Sequence, residues 1–161
     1  MKSWQDFSKE EPDLAGIGRK ILFSSRPNVG YAFIATLRRD GAPRLHPISV
    51  VICNDRLYII IPTSSPKYTD LIRDGRYALQ AFPPIPNNEW EEFYLAGQTD
   101  RIEDPRIRQR LIQQTKIAVE ADEVLFELFL DRVMYTKLVD IGTADERPIH
   151  KKWRLSALDL S

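Results

Sequence analysis

The sequence predicts a mainly β fold of α+β character: an antiparallel β-barrel with flanking helices, built from residues 1–161 as one domain. Three observations lead there. Runs rich in aromatic and branched residues follow one another with only "DG" and "ND" near the joins, which is the pattern of a meander of hairpins. Helix signals fall between hairpins and do not alternate with single strands, as they would in a parallel sheet. The glycine-containing string "GIGRK" follows no strand and lacks the third glycine of a dinucleotide-binding turn.

Each element has its own signal. Residues 13–24 place Leu14, Ile17, Ile21 and Leu22 at helical spacing, against the poor helix propensity of Gly16 and Gly18. "YAFIATLRR", "RLHPISVVIC" and "RLYIIIP" are three strands joined by short turns. In "IIPTSSPKYTDLIRDG", Pro66 suits the first helical position, Ser64 or Ser65 the cap, and Gly75 the stop. Strands resume in "RYALQAF" and "EEFYLAGQTDRIE", separated by the stiff loop "PPIPNN". Asp104 and Pro105 open a second longer helix with Ile107, Leu111 and Ala118 on one face. "EVLFELFLDRVMYTKLVDIG" does not sort by the helical period and reads as strand, with "DR" a candidate turn dividing it in two. The tail "ERPIHKKWRLSALDL" shows no period. The total is six or seven strands, two longer helices and one short one.

Composition narrows the function. The 23 basic and 23 acidic residues balance, which argues against nucleic acid or a membrane surface as partner. The lone cysteine, Cys53, lies in an apolar run and reads as a buried core thiol, with no disulfide partner in the chain. No signal-peptide pattern and no stretch of 18 apolar residues is visible, so the expectation is a cytoplasmic protein. His46 and His150 have no third metal ligand spaced with either, and no metal site is expected.

Two segments carry chemistry. A helix mouth presents unpaired N–H groups and a positive dipole end, and "PTSSPK" adds Thr63, Ser64, Ser65 and the Lys67 ammonium. Those residues suit a helix cap and an anion site alike. In "PRLHPIS", strand alternation puts Arg44 and His46 on one face, beside that mouth, with Leu45, Pro47 and Ser49 on the other. An arginine grips phosphate in two-pronged fashion, and His46 can donate to a phosphate or a ring carbonyl.

The run "FIATLRRDGAPRLHPISVVICNDRLYIIIPTSSPKYTDLIRDGRYAL" resembles the pyridoxamine 5′-phosphate oxidase-like family. The matching features are A-T-x-x-x-D-G-x-P, R-x-x-P-hydrophobic, T-x-x-S-x-K-x-x-x-L and R-hydrophobic-A, taken in order. The resemblance implies a split β-barrel, a homodimer with FMN between subunits, and an oxidoreductase that passes hydride through the flavin N5 to or from a small molecule. It also implies that Arg44 meets the FMN phosphate while His46 and Ser49 run under the ring. Ile60 and Ile61 would offer backbone groups to the ring, and Thr63, Ser65 and Lys67 would clamp phosphate and ribityl. Trp153 and Arg154 in "HKKWR" are similar to the family's C-terminal tryptophan region, which reaches the partner's flavin. Packing of Trp153 on its own barrel is the alternative.

Departures from the family pattern bear on the substrate. Ser49 stands where the vitamin oxidases carry a lysine, Glu92 where they have a glutamine, and Pro66 where they have an arginine. Each change removes a charge or a donor from the vitamin's seat, so a neutral or weakly charged substrate is expected and no catalytic acid or base is assigned. Rival expectations are a haem-binding or deazaflavin-binding protein, and a cofactor-free dimeric barrel.

Overall fold

The two dipeptides between the first three strands are tight turns, as their composition requires. Gly41 has φ +82° and donates its N–H to the Arg38 carbonyl at 2.9 Å, while Asn54 and Asp55 both take left-handed φ, 50° and 55°. In the computed structural model, which describes residues 1–81 and 90–156, these turns join β1 (Val29–Leu37), β2 (Pro43–Cys53) and β3 (Arg56–Pro62). The predicted loop "PPIPNN" lies outside the described residues.

The other elements are α1 (Trp4–Glu10), α2 (Pro12–Leu22), α3 (Pro66–Arg73), β4 (Arg76–Ala81), β5 (Trp90–Ile102), α4 (Pro105–Thr115), β6 (Glu123–Val139) and β7 (Arg147–Arg154). The strands run in the order β3-β2-β1-β4-β5-β6-β7, and β3 also pairs with β6. Strands β1 to β6 therefore close an antiparallel barrel, with β7 added to β6 outside the ring. This is the predicted fold class.

Three local expectations are corrected. "DR" at residues 131 and 132 is no turn: β6 is continuous, and its irregularity is a bulge opposite Ala96 and Gly97, with Ala96 facing Arg132 and Gly97 facing Leu130. Gly97 is required there, since a Cβ would lie 2.0 Å from the Phe129 carbonyl oxygen. The tail is not patternless, because residues 147–154 form β7. It pairs along the second half of β6 after the first half has closed on β3. An unpredicted helix, α1, opens on a capping box between Ser3 and Asp6 and buries Trp4 and Phe7 in the core.

The helices take defined places. α2 forms despite its glycines because Gly18 lets it lie directly on β5, where a Cβ would meet the Phe93 ring at 2.1 Å. α4 covers one part of the barrel's outside, burying Leu111 with Val51, Cys53, Tyr58 and Leu125. Cys53 is the core thiol expected. Burial pushes it up, and its Sγ donates to Gln114 Oε1 at 3.1 Å. On the outer face of β1 and the start of β2, Tyr31, Phe33 and Leu45 are exposed. Among the described residues no helix is long and apolar enough to cross a membrane.

One feature of the sheet positions everything that follows. The ladder between β2 and β3 lasts only four pairs, from Cys53–Arg56 to Val50–Ile59, and then the strands part. Had the register continued, Pro47 would face Pro62. Neither has an N–H to give, so the ladder ends where the sequence withdraws its donors. β3 goes on to pair with β6 from Tyr58 to Pro62, and β2 goes on with β1. The barrel is split between residues 43–49 on one bank and 60–62 on the other.

Candidate functional site

Of the predicted site residues, Arg44, His46 and Ser49 lie on β2 and Ile60 and Ile61 on β3, the two banks of this split. On β2, Arg44 and His46 alternate with Leu45 and Pro47, as predicted: the first two are partly buried and the second two exposed. Ser49 lies on the outward side with Pro47. Across the gap, Ile60 faces outward while Ile61 is fully buried in the core. Thr63 and Ser65 occupy the turn into α3, and Lys67 its first turn.

At the inner end of the split the side chains gather around α3. Ser65 is the N-cap by position, yet its side chain makes no capping hydrogen bond, contrary to expectation. The helix start relies on Pro66 and the backbone, including the Tyr68 N–H to the Ser65 carbonyl at 3.0 Å, so the Ser65 hydroxyl is not spent on the cap. Next to it opens a cavity of about 670 Å³ bordered by Arg38, Arg39, Arg44, Arg73 and Ser64, with Asp40 and Asp70 among its walls. Four guanidinium groups against two carboxylates make this an electropositive recess beside a helix N-terminus, which is anion-binding chemistry.

Arg44 does not enter the recess unaccompanied. Its Nε donates to Asp70 Oδ2 at 2.7 Å, and Thr36 Oγ1 donates to the same oxygen at 2.9 Å. Thr36 and Arg44 are register partners on β1 and β2, so one carboxylate from α3 ties both strands. Asp70 is 3% exposed. Burial raises its carboxyl, but the hydrogen bonds from Arg44 and Thr36 and the charges of Arg44 and Arg73 outweigh that, leaving it below the usual range and ionised. Sequence reasoning missed Asp70, Thr36 and the arginines at 38, 39 and 73. Thr36 lies in the A-T-x-x-x-D-G-x-P string, and Arg38 and Arg39 flank the "DG" turn, where they pass for a solvated hairpin tip.

His46 shows the opposite balance. Burial holds its imidazole below the usual value of 6.5, and the charges of Lys67 and Arg44 add to this against the pull of Asp70. Its Nε2 is buried and has no hydrogen-bond partner among the described residues. Burial also lowers Lys67. A neutral imidazole with an unmet nitrogen, next to a half-buried ammonium, is a group waiting for a polar ligand.

On the outer side of the split lies a second groove, of about 510 Å³, walled by Tyr31, Pro47, Ser49, Ile60 and Ile117 with Arg26 and Glu123. It brings Ser49 and Ile60 together at the positions that would be register partners had the ladder run on. Trp153 and Arg154 line neither groove. Trp153 packs edge-on against Phe7 of α1, centroids 5.1 Å apart, so within one chain the own-barrel alternative holds.

Solved structures share this architecture. A haem-binding protein from Mycobacterium smegmatis superposes with a TM-score of 0.59 at 17% identity, covering 83% of this chain and 56% of its own. The chain thus spans little more than half the length of that protein. A pyridoxamine 5′-phosphate oxidase-related, FMN-binding protein from Nostoc punctiforme gives 0.58 at 13% identity, over 92% of this chain and 95% of its own. A NimC/NimA family protein from Clostridium acetobutylicum gives 0.56 at 12%, over 92% and 94%. No family model and no curated protein matches the sequence. The fold is the split barrel of the pyridoxamine 5′-phosphate oxidase-like proteins, and at these identities the likeness concerns the fold alone.

Burial and the charges of Lys67 and Arg44 disfavour the protonated form of His46. Because the folded protein takes up its proton less readily than the unfolded chain, His46 is neutral at pH 7, and its neutral form favours folding until the pH drops below the usual imidazole range. An NMR titration of the imidazole resonances is expected to show a midpoint below 6.5, and Lys67→Met is expected to raise that midpoint.

Proposed function

We propose that this chain is an FMN-binding oxidoreductase acting on a small neutral or weakly charged molecule. The observation that carries the proposal is the split: where β2 and β3 part, Arg44 borders a recess with an excess of positive charge beside Ser64 and Pro66 at the start of α3, and His46 feels the charge of Lys67. The residues fit the cofactor's phosphate end. Arg44 and Lys67 supply cations, the Ser65 hydroxyl is not used in capping, and the His46 Nε2 lacks a partner. A bound flavin would supply reversible two-electron chemistry, and the chain's own part is to anchor, orient and shield it. The outer groove, with Tyr31, Pro47, Ile60 and Ile117 on its walls, offers a mainly apolar seat for ring or substrate.

Haem is the second reading, favoured by one observation. A neutral imidazole with a free Nε2 is what iron ligation needs, and His46 has both properties. Absorbance separates the two readings, by a Soret band for haem or a two-peaked flavin spectrum for FMN.

The exposed outer face belongs to the same proposal. Tyr31, Phe33 and Leu45 project on the same side of the β1–β2 ladder as Pro47 and Ser49, so the exposed apolar patch runs into the outer groove. We assign this patch to a second copy of the chain, giving a homodimer whose interface borders the cofactor.

Two outcomes are expected. Arg44→Ala combined with Lys67→Ala keeps the far-ultraviolet circular dichroism of the barrel but weakens FMN by at least about 100-fold in a fluorescence-quenching titration, given ~1.5 kcal/mol or more for each charge-assisted hydrogen bond. Undiminished affinity would sink the assignment. In sedimentation the wild-type chain is expected to run as a dimer of 18.7 kDa subunits, and Leu45→Asp as a monomer. A wild-type monomer at micromolar concentration contradicts the dimer.

A further inference from the structure

We propose that Asp70 is the positioning residue of the anion site: it holds Arg44 by one edge and leaves the terminal nitrogens of the guanidinium to take a phosphate group. The inference rests on the FMN-binding reading for the ligand's identity, but the role of Asp70 concerns the anion alone.

The geometry is specific. Arg44 spends only its Nε on Asp70, and its Nη1 and Nη2 have no protein partner among the described residues. The residue borders the recess, so those two nitrogens form an unused two-pronged donor at an electropositive wall. Holding a guanidinium through Nε fixes its plane while leaving the fork intact. A carboxylate that gripped both terminal nitrogens would instead compete with the ligand for the same donors.

Asp70 is itself held rigidly. It sits on the inner side of α3 and is buried. Its Oδ2 receives Thr36 Oγ1 at 2.9 Å, and Arg73 Nη2 approaches its Oδ1 at 3.5 Å while also bonding the Leu37 carbonyl. The carboxylate thereby reports the position of α3, whose first turn carries Lys67, to the strand that carries Arg44. Arg44, which borders the recess, is thus set by one buried group, as preorganised sites require. Its cost is electrostatic, because a negative charge stands behind the site and opposes an anion. A mere counter-charge would therefore weaken binding, while a positioning group strengthens it, and the two roles can be separated.

Asp70→Asn and Asp70→Ala both remove the charge, but only asparagine keeps an acceptor of the same shape for Arg44. Binding of inorganic phosphate to the full chain is measured by calorimetry at neutral pH, in both variants and again with Arg44→Ala added. The expectation is that Asp70→Ala binds phosphate about 10-fold or more weaker than Asp70→Asn, the loss associated with a charge-assisted hydrogen bond, and that the difference vanishes when Arg44 is absent. Equal affinities of the two variants would overturn the proposal. So would a difference that survives Arg44→Ala, since Asp70 would then act only by placing α3, or a wild-type protein that takes no phosphate at millimolar concentration. FMN titrated in parallel keeps the two claims apart: the phosphate pattern without FMN binding removes the flavin reading and leaves the role of Asp70 standing.

Discussion

The proposed site in this barrel depends on the separation of β2 from β3. A closed sheet satisfies its backbone groups strand by strand, and a ligand can enter the wall only where a ladder is interrupted. Here the interruption coincides with Pro47 and Pro62, which would face each other and cannot donate to a shared ladder. β3 is released to close on β6, β2 stays with β1, and the helix α3 starts just past the gap, after the turn at residues 63–65. The same break that opens the wall thus delivers a helix N-terminus to it.

The charges around the break are arranged in two opposed ways. Asp70 is ionised and buried because Arg44 and Thr36 hold it, whereas His46, a neighbour of the same cations, is kept neutral by burial. A site that holds a carboxylate charged and an imidazole uncharged around the same arginine, Arg44, is not a generic polar surface. A buried ion pair of this kind adds little to stability by comparison with an apolar packing, but losing one partner leaves the other stranded, so the pair constrains geometry more than it stabilises the fold.

Much of this was legible in the sequence, and the rest was hidden for physical reasons. Strand period, the "DG" and "ND" turns and the proline-led helix starts gave the barrel, since each rests on local backbone chemistry. The pairing of Arg44 with His46 followed from alternation on β2. The family resemblance implied a split but not its position, although both prolines were in plain view, because their opposition exists only once the register is known. Asp70 was equally invisible. It reads as a polar helix residue, and its role appears when α3 is laid against Thr36 and Arg44, residues 34 and 26 positions away. The cap at Ser65 misled for the converse reason: the sequence shows a hydroxyl at the right position but not whether it bonds the helix. The long β6 was misread at "DR" because a bulge and a turn present the same loss of pattern.

The central claim is that the recess at the split grips a flavin by its phosphate, and the most direct test compares the wild-type protein's affinity for FMN and for riboflavin, which differ by that group. The account predicts that FMN binds at least about 100-fold more tightly, the return expected from two charge-assisted hydrogen bonds to Arg44 and Lys67. Equal affinity for the two, or binding of neither, would contradict it.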